Sequence, residues 1–216
     1  MNISSKRGSQ INPLPTTRMQ DKCASLIAEG KDVIDLSIGD TDFRAPDLFA
    51  TEVEESLKKG LTHYTRPVGI RELREAIAEY HSTKSEEVLV TAGGKEGVCS
   101  LFLAFVNPAD EVVVPEPAWP AFRAYTALCG ARYVPLPTSI EKEFEPSIED
   151  LTSVLTKKTK MVVLNSPNNP TGSVYSSRLI QEAAQLAEKK GFVLVSDEIY
   201  SNYDYSGYFK SAKVLN

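Results

Sequence analysis

Two short apolar runs, each followed at once by a polar cluster, constrain the fold of this chain more than any other feature. The first run covers residues 161–164 and precedes polar and turn-forming residues 165–172; the second covers 192–195 and precedes 196–200. Short runs rich in β-branched residues are typical of strands buried on both faces, as in parallel sheets. Residues 176–190 between them have a helical pattern that ends at Gly191. The unit is strand, helix, strand, and both clusters follow carboxyl ends of strands, where open α/β sheets bind ligands.

The rest of the chain continues this alternation. Further strands are predicted over residues 87–91, 111–115 and 132–136. Helices are predicted over residues 17–29, 46–59, 71–81, 96–106, 121–128 and, starting near Ser147, up to 155. A polar cluster marked by glycine or proline follows the strands at 87–91, 111–115 and 161–164, and the polar residues 196–200 follow the strand at 192–195. We therefore predict an α/β fold with these clusters at one edge of one sheet.

Composition and charge exclude several classes of partner. A formal net charge of −5 and the lack of any long basic run argue against a nucleic-acid partner. The longest apolar stretch, residues 101–106, is too short to span a bilayer, so no membrane partner is expected. The polar amino terminus predicts no secretory leader and a cytoplasmic location. Three widely spaced cysteines and two separate histidines predict neither a disulfide framework nor a metal site.

Two of the polar clusters supply groups that suit a substituted aromatic ring. Asp197 can pair with a ring nitrogen and keep it protonated, and Tyr200 can reach a ring hydroxyl if the chain turns there. Asn169 lies between turn residues and offers its side-chain amide for hydrogen bonding. A carboxylate paired with a pyridinium nitrogen is the arrangement that makes pyridoxal phosphate an electron sink.

Two earlier clusters supply the remaining contacts for such a ring. Gly94 and Lys95 stand between a predicted strand and a predicted helix, a geometry that directs backbone N–H groups at an anion such as phosphate. Trp119 follows another strand and can lie over a ring face. Each feature alone also has an ordinary explanation, which is a tight turn for the glycines and a core position for the tryptophan.

The order of these motifs resembles a known family. Asn-Asn-Pro-Thr-Gly at residues 168–172, followed by Ser-Asp-Glu-Ile-Tyr at 196–200, resembles the class I/II aminotransferases, pyridoxal-phosphate enzymes of fold type I. The resemblance extends to residues 35–43, 64–74, 92–95 and 117–119, and it covers the chain from about residue 14 to 208. The overall pattern is closest to the aspartate-aminotransferase-like branch.

The resemblance implies a particular domain organisation. The fold would be a three-layer sandwich with a mostly parallel mixed sheet, incomplete at its carboxyl terminus. Residues 1–45 would form an amino-terminal arm and part of the small domain, and residues 46–216 the pyridoxal-phosphate-binding large domain. The carboxyl-terminal part of the small domain would be absent.

It also implies a role for each candidate residue at the cofactor ring. Asp197 would hold the pyridine nitrogen, and Tyr200 the 3′-oxygen. Asn169 would contact the same oxygen and help to orient a substrate carboxylate. Trp119 would stack on the ring and border the substrate.

Four further residues would complete the site. Gly94 and Lys95 would hold the cofactor phosphate through their backbone, and Gly39 would lie against the substrate. Tyr64 would reach the cofactor phosphate of another subunit, which implies a homodimer with shared sites. For Gly39, an ordinary turn is the competing interpretation.

One part of the family pattern is missing. Family members have a lysine that forms a Schiff base with the cofactor, a few tens of residues after Asp-x-x-Tyr, and a substrate-binding arginine farther on. Lys210 and Lys213 are the only lysines after Tyr200, and neither has the expected flanks. We therefore assign no catalytic residue, expect the 216 residues alone to be inactive, and interpret the sequence as part of a longer aminotransferase.

Two alternatives stay open at this point. A lyase or an aminocyclopropane-carboxylate-synthase-like enzyme would use the same cofactor-binding residues. A non-catalytic protein could keep the fold to bind a metabolite or to pair with an intact subunit. The amino-acid substrate cannot be predicted, and the DNA downstream of codon 216 would separate a longer enzyme from a non-catalytic chain.

Overall fold

The computed structural model describes residues 5, 8–10, 15–41 and 43–215, and the chain divides into two compact units. The larger unit comprises Met1–Asn12 and Gly94–Asn216, and the smaller comprises Pro13–Gly93. Most of the predicted amino-terminal arm, and Asp42 of the motif at residues 35–43, lie outside the described residues. The domain division at residues 45 and 46 stays a prediction.

The larger unit is built on a parallel sheet. Its strands are β1 (Glu111–Glu116), β2 (Arg132–Pro137), β3 (Thr159–Asn165) and β4 (Val193–Asp197). Their order across the sheet is β2-β1-β3-β4, and each pairing is parallel. The predicted α/β class is confirmed. Among the described strands, none runs antiparallel to its neighbour.

Helices surround this sheet and also form the smaller unit. The smaller unit contains α1 (Pro15–Ala28), α2 (Asp47–Lys58) and α3 (Arg71–Tyr80). The larger unit contains α4 (Gly94–Phe105), α5 (Pro120–Leu128), α6 (Ile148–Val154) and α7 (Ser177–Lys190). Each of the predicted helices is present, with ends shifted by a few residues at most.

Two apolar cores lie on opposite faces of the sheet, which makes the larger unit a three-layer structure. Successive strand residues point to opposite faces, so Val162 and Val163 belong to different cores. One core packs β1–β3 against α6 and α7 through Val113, Val162, Leu164, Leu151, Leu179 and Ala183. The other packs the sheet against α4 and α5 through Val112, Val114, Met161, Val163, Phe102 and Phe122.

Short polar side chains and glycine set the ends of the helices beside β3 and β4. Ser147 Oγ accepts a hydrogen bond from the Asp150 N–H at 3.0 Å and caps α6. Ser176 Oγ accepts one from the Leu179 N–H at 3.2 Å and caps α7. Gly191 ends α7 with φ of 77°, a left-handed conformation that suits glycine. The predicted start near Ser147 and stop at Gly191 are confirmed.

The predicted strand at residues 87–91 is wrong. Ser85–Glu87 forms a 3₁₀ turn, and the residues after it are extended without joining a described strand. The Val90 N–H donates to the Val68 carbonyl at 3.1 Å, and Arg74 Nε donates to the Val88 carbonyl at 2.9 Å. An apolar run predicts extended backbone, but it does not predict which groups the backbone bonds to. Here those groups are the loop carbonyl of Val68 and the side chain of Arg74. Helix α4 then begins at Gly94, earlier than the predicted start at Glu96.

The smaller unit presents apolar side chains to solvent. Helix α2 has no buried residue, although four of its residues are large and apolar. Each of the four is more than half exposed: Leu48, Phe49, Val53 and Leu57. Phe49, Val53 and Leu57 recur every four residues and therefore share one side of the helix, and Leu48 precedes Phe49 at the edge of that side. An exposed apolar stripe of this kind is typical of a surface that contacts something else. Within the described part of the chain, no helix is both long enough and apolar enough to cross a bilayer.

Helix α4 offers a matched test of this packing. Phe102 is fully buried, whereas Phe105 on the same helix is 43% exposed. Replacing Phe102 with alanine should lower the free energy of unfolding by about 3–5 kcal/mol, because the ring leaves a cavity in the core. Urea unfolding followed by circular dichroism measures the change. Phe105→Ala is the control and should cost much less; equal losses would contradict the assigned core.

Candidate cofactor site

A cavity of about 190 Å³ lies at the carboxyl edge of the parallel sheet. Its lining residues come from the start of α4, the turn before α5, the loop after β3 and the end of β4. They are Gly94, Lys95, Val98, Trp119, Asn165, Asn169, Asp197, Ile199 and Tyr200. The structure therefore brings together the predicted residues Gly94, Lys95, Trp119, Asn169, Asp197 and Tyr200. Their individual roles stay predictions.

Asp197 is the acidic group of this cavity. It is the last residue of β4, and its Oδ1 accepts a hydrogen bond from the Ile199 N–H at 3.2 Å. Burial raises the pKa of the Asp197 carboxyl, the Ile199 N–H opposes the rise, and the charge of Glu198 adds to it. The ionised carboxylate is thus less well solvated than in water and would be stabilised by a cationic partner in the cavity.

Asn169 and Tyr200 form a hydrogen-bonded pair across the cavity wall. Asn169 Nδ2 donates to the Tyr200 hydroxyl oxygen at 3.3 Å. Both side chains are half-buried and line the cavity. An amide N–H and a phenol O–H held this close can donate to one shared acceptor, such as a ring hydroxyl or its anion.

Trp119 provides an aromatic wall. It is the residue immediately before α5, where Pro120 occupies the first helical position. Its ring makes edge-to-face contacts with Phe122 and Tyr125, at centroid distances of 5.4 and 6.1 Å. Lys95 Nζ lies 5.8 Å from the indole centroid, within the range of a cation–π contact. These contacts hold the indole in a defined orientation beside the cavity.

Gly94 and Lys95 open helix α4 at another side of the cavity. The first N–H groups of a helix have no partner within the helix, and the helix dipole places partial positive charge there. Backbone N–H groups in this position suit a phosphate or a carboxylate. The extended segment before Gly94 is not a strand of the sheet, but the helix start needed for this geometry is present.

Asn165 is a site residue that the sequence interpretation did not single out. It is the last residue of β3, it is 4% exposed, and its amide contacts both Asn169 and Asp197. The sequence did contain a signal for this residue, because Asn165 is a polar amide directly after the buried apolar run at residues 161–164. Val98 and Ile199 add apolar surface to the cavity, and no sequence pattern distinguished them from core residues.

Gly39 and Tyr64 lie in the smaller unit. Tyr64 is fully exposed, and a Cβ built on Gly39 would meet no atom within 4 Å. Their predicted contacts with substrate and with another subunit's cofactor stay predictions. Lys210 and Lys213 are exposed, and neither lines the cavity of about 190 Å³.

The groups around the cavity fit a phosphorylated pyridine ring. A carboxylate with a raised pKa suits a protonated ring nitrogen, and the Asn169–Tyr200 pair suits a ring oxygen. The indole suits the ring face, and the start of α4 suits the phosphate. The described residues contain no cluster of three or more histidine, cysteine or acidic side chains suited to a metal ion.

Fold and cavity together place the chain among α/β proteins that bind a ligand at the carboxyl edge of a parallel sheet. The family model described as aminotransferase class I and II matches residues 31–213. An aspartate aminotransferase of Thermotoga maritima is 38% identical over 213 residues, which are 96% of this chain and 56% of that protein. An aspartate/prephenate aminotransferase of Thermus thermophilus is 38% identical, over 94% of this chain and 54% of that protein.

Solved structures give the same result. The aspartate aminotransferase of Thermus thermophilus with maleate superposes with a TM-score of 0.96 at 37% identity, covering 100% of this chain and 58% of that chain. This chain belongs to the class I and II aminotransferase family. Members of this family are pyridoxal-phosphate-dependent enzymes, and the fold is that of their large domain. The chain spans about half the length of the curated relatives that it matches.

The raised pKa of Asp197 predicts a gain in stability when its charge is removed. Asp197→Asn can keep the bond from the Ile199 N–H and avoids a buried charge, so the unliganded variant should be more stable than wild type near neutral pH. The difference should vanish below the unfolded-state pKa of about 3.9, where aspartate is protonated in both states. Urea unfolding at the two pH values measures it.

Asp204 is the control with the opposite sign. Hydrogen bonds from Ser206 and the Phe209 N–H lower the pKa of its carboxyl. Asp204→Asn should therefore lose stability near neutral pH and lose little in acid, where the wild-type carboxylate is protonated as well. A gain in stability for Asp204→Asn, or a loss for Asp197→Asn at neutral pH, would contradict the assigned environments.

Proposed function

We propose that the protein uses pyridoxal phosphate to transfer an amino group between an amino acid and a 2-oxo acid. The observation that carries this proposal is the cavity itself, where the Asp197 carboxylate faces the same space as the Asn169–Tyr200 pair. Family membership supports the reaction class, because the relatives described above are aminotransferases. That support also favours amino-group transfer over the lyase alternative.

Each lining residue has a task that its geometry permits. When bound, pyridoxal phosphate supplies an electron sink for the carbon next to the amino group. Asp197 would keep the ring nitrogen protonated. Burial raises the pKa of this carboxyl, but a pyridinium cation beside it would favour its ionised form. Asn169 and Tyr200 would hold the 3′-oxygen, and Trp119 would cover one face of the ring.

Three residues would form the substrate side of the site. Asn169, Trp119 and Gly39 would contact the substrate, as the family resemblance implies. Several relatives are named for aspartate, and one structure is described with maleate, a dicarboxylate. The residues that line the described cavity include no arginine to pair with a substrate carboxylate.

We further propose a cytoplasmic homodimer with shared sites. Tyr64 supports this arrangement, because its side chain is fully exposed within its own chain and is therefore available to a second copy. The exposed apolar stripe of helix α2 supports it as well, since such surfaces in soluble proteins are usually covered by a partner. The net charge of −5 gives no support for a nucleic-acid partner.

Binding of pyridoxine 5′-phosphate tests the site directly. This compound carries an alcohol where pyridoxal phosphate has an aldehyde, so it cannot react with surface lysines. Trp119 is the only tryptophan of the chain and lines the cavity, so quenching of its fluorescence reports binding there. Asp197→Asn should weaken binding about 10- to 100-fold, the effect of losing one hydrogen bond between charged groups.

Glu198→Gln is the control for this titration. Glu198 is adjacent in sequence, but it does not line the cavity, and its Oε1 instead accepts bonds from Ser196 Oγ and the Ala212 N–H. Glutamine can keep both bonds, and the loss of the Glu198 charge acts only at a distance, so binding should change much less than in Asp197→Asn. Saturable binding that is lost equally in both variants would contradict the role of Asp197, and no binding by the wild-type chain would contradict the proposed cofactor.

The shared-site proposal makes a separate prediction. Tyr64→Phe should weaken binding of pyridoxine 5′-phosphate about tenfold, because one hydroxyl bond to a charged phosphate is lost, and should not change binding of pyridoxine, which has no phosphate. Sedimentation should show dimers at the protein concentration used. The contribution of Tyr64 from a second copy would be contradicted if Tyr64→Phe weakened binding of pyridoxine 5′-phosphate and pyridoxine equally. Tight binding of pyridoxine 5′-phosphate by a monomer would contradict it as well.

A further inference from the structure

We propose that Asn165 is a positioning residue that fixes Asn169 and Asp197 relative to each other. This inference rests on the proposed function, because it assigns Asn165 the task of setting the spacing between the group for the ring nitrogen and the group for the 3′-oxygen. Asn165 would act through these two residues and carries no part of the reaction itself.

The position of Asn165 suits this task. It is the last residue of β3 and lies opposite Asp197 in the parallel pairing with β4. Its side chain is 4% exposed, and it lines the cavity. A polar side chain this deeply buried must have its hydrogen bonds satisfied, so its partners define its orientation.

Both ends of the Asn165 amide are bonded to site residues. The Asn169 N–H donates to Asn165 Oδ1 at 2.8 Å, and Asn165 Nδ2 donates to the Asp197 carbonyl at 3.1 Å. The partners determine which end is which, because an N–H requires the oxygen and a carbonyl requires the NH₂ group. One rigid amide therefore spans the loop after β3 and the end of β4.

The link extends to a third ligand group. Asn169, whose backbone is fixed by Asn165, donates through its own side chain to the Tyr200 hydroxyl at 3.3 Å. The Asn165 amide thus connects Asp197 with Asn169 and Tyr200, and the Ser166 N–H donates to the same Asp197 carbonyl at 3.0 Å. Residues that support a site in this way are needed because small errors in position weaken binding and catalysis.

Asn168 provides a matched comparison in the same loop. It is 6% exposed, its Oδ1 accepts from Thr171 Oγ1 at 3.0 Å, and its Nδ2 lies 3.5 Å from the Tyr175 hydroxyl. These bonds stay within the turn and its neighbour, and Asn168 does not line the cavity. Replacing either asparagine with aspartate keeps the acceptor, removes the donor and introduces the same buried charge.

Amide hydrogen exchange tests the positioning without any cofactor. In the unliganded 216-residue chain, the Asn169 N–H should be protected in wild type and in Asn165→Asp, which keeps the acceptor. Asn165→Leu has no acceptor, so exchange at Asn169 should be at least about tenfold faster. Exchange at Asn169 that is equally fast in wild type and Asn165→Leu would overturn the inference.

Binding of pyridoxine 5′-phosphate, followed by Trp119 fluorescence, tests the consequence. Asn165→Asp should weaken binding about five- to tenfold, because the bond to the Asp197 carbonyl is lost, while Asn168→Asp should stay within about twofold of wild type. Competition by inorganic phosphate should be unchanged in Asn165→Leu, which adds no charge to the cavity, since the proposed phosphate contacts at Gly94 and Lys95 do not involve this amide. A general structural defect would weaken binding of both pyridoxine 5′-phosphate and inorganic phosphate.

The outcomes separate the inference from the proposed function. Equal loss of binding in Asn165→Asp and Asn168→Asp, at equal unfolding free energy, would overturn the positioning role. Equal loss of pyridoxine 5′-phosphate and inorganic phosphate binding in Asn165→Leu would overturn it too. If the wild-type chain binds no pyridoxine 5′-phosphate while the exchange pattern holds, the proposed cofactor is wrong and the fixing of Asn169 by Asn165 stands.

Discussion

The register between β3 and β4 is the constraint on which the rest of the site depends. Parallel pairing places Asn165 opposite Asp197, so both strands end at the same level of the sheet. Upstream, Met161 and Val195 point into one core and Val162 into the other, which fixes that register through burial. A slip of one residue would move each side chain to the opposite face of the sheet and would take Asp197 out of the cavity.

Without a ligand, the site lowers the stability of the folded chain. Burial raises the pKa of Asp197, and the negative charge of Glu198 raises it further, while one backbone N–H is the only opposing contribution. Such an arrangement is unfavourable for an ionised carboxylate until a cation arrives. The same burial that weakens the folded state without a ligand would strengthen an ion pair with a protonated ring, a common compromise at functional sites.

The sequence predicted those parts of the structure that local chemistry determines. The apolar runs at β1, β3 and β4, the cap at Ser147 and the glycine at Gly191 follow from burial, capping and backbone freedom. The strand predicted at residues 87–91 failed because pairing depends on a distant partner, and the segment bonds to Val68 and Arg74 instead. Asn165 was missed for the same reason: its partner Asp197 is far along the chain.

The residues that line the described cavity suit binding of a ring, but none of them is assigned a reaction with it. Lys95 is the only lysine among the residues that line it, and its ammonium lies over the Trp119 indole, 5.8 Å from the ring centroid. This contact is within the range of a cation–π interaction between the Lys95 side chain and the indole. Ring binding as proposed would use residues between Gly94 and Tyr200, whereas amino-group transfer would also need a Schiff-base lysine, a role that is not assigned to Lys95. Ligand binding and catalysis by this protein are accordingly separate questions, and the first can be answered with the ring alone.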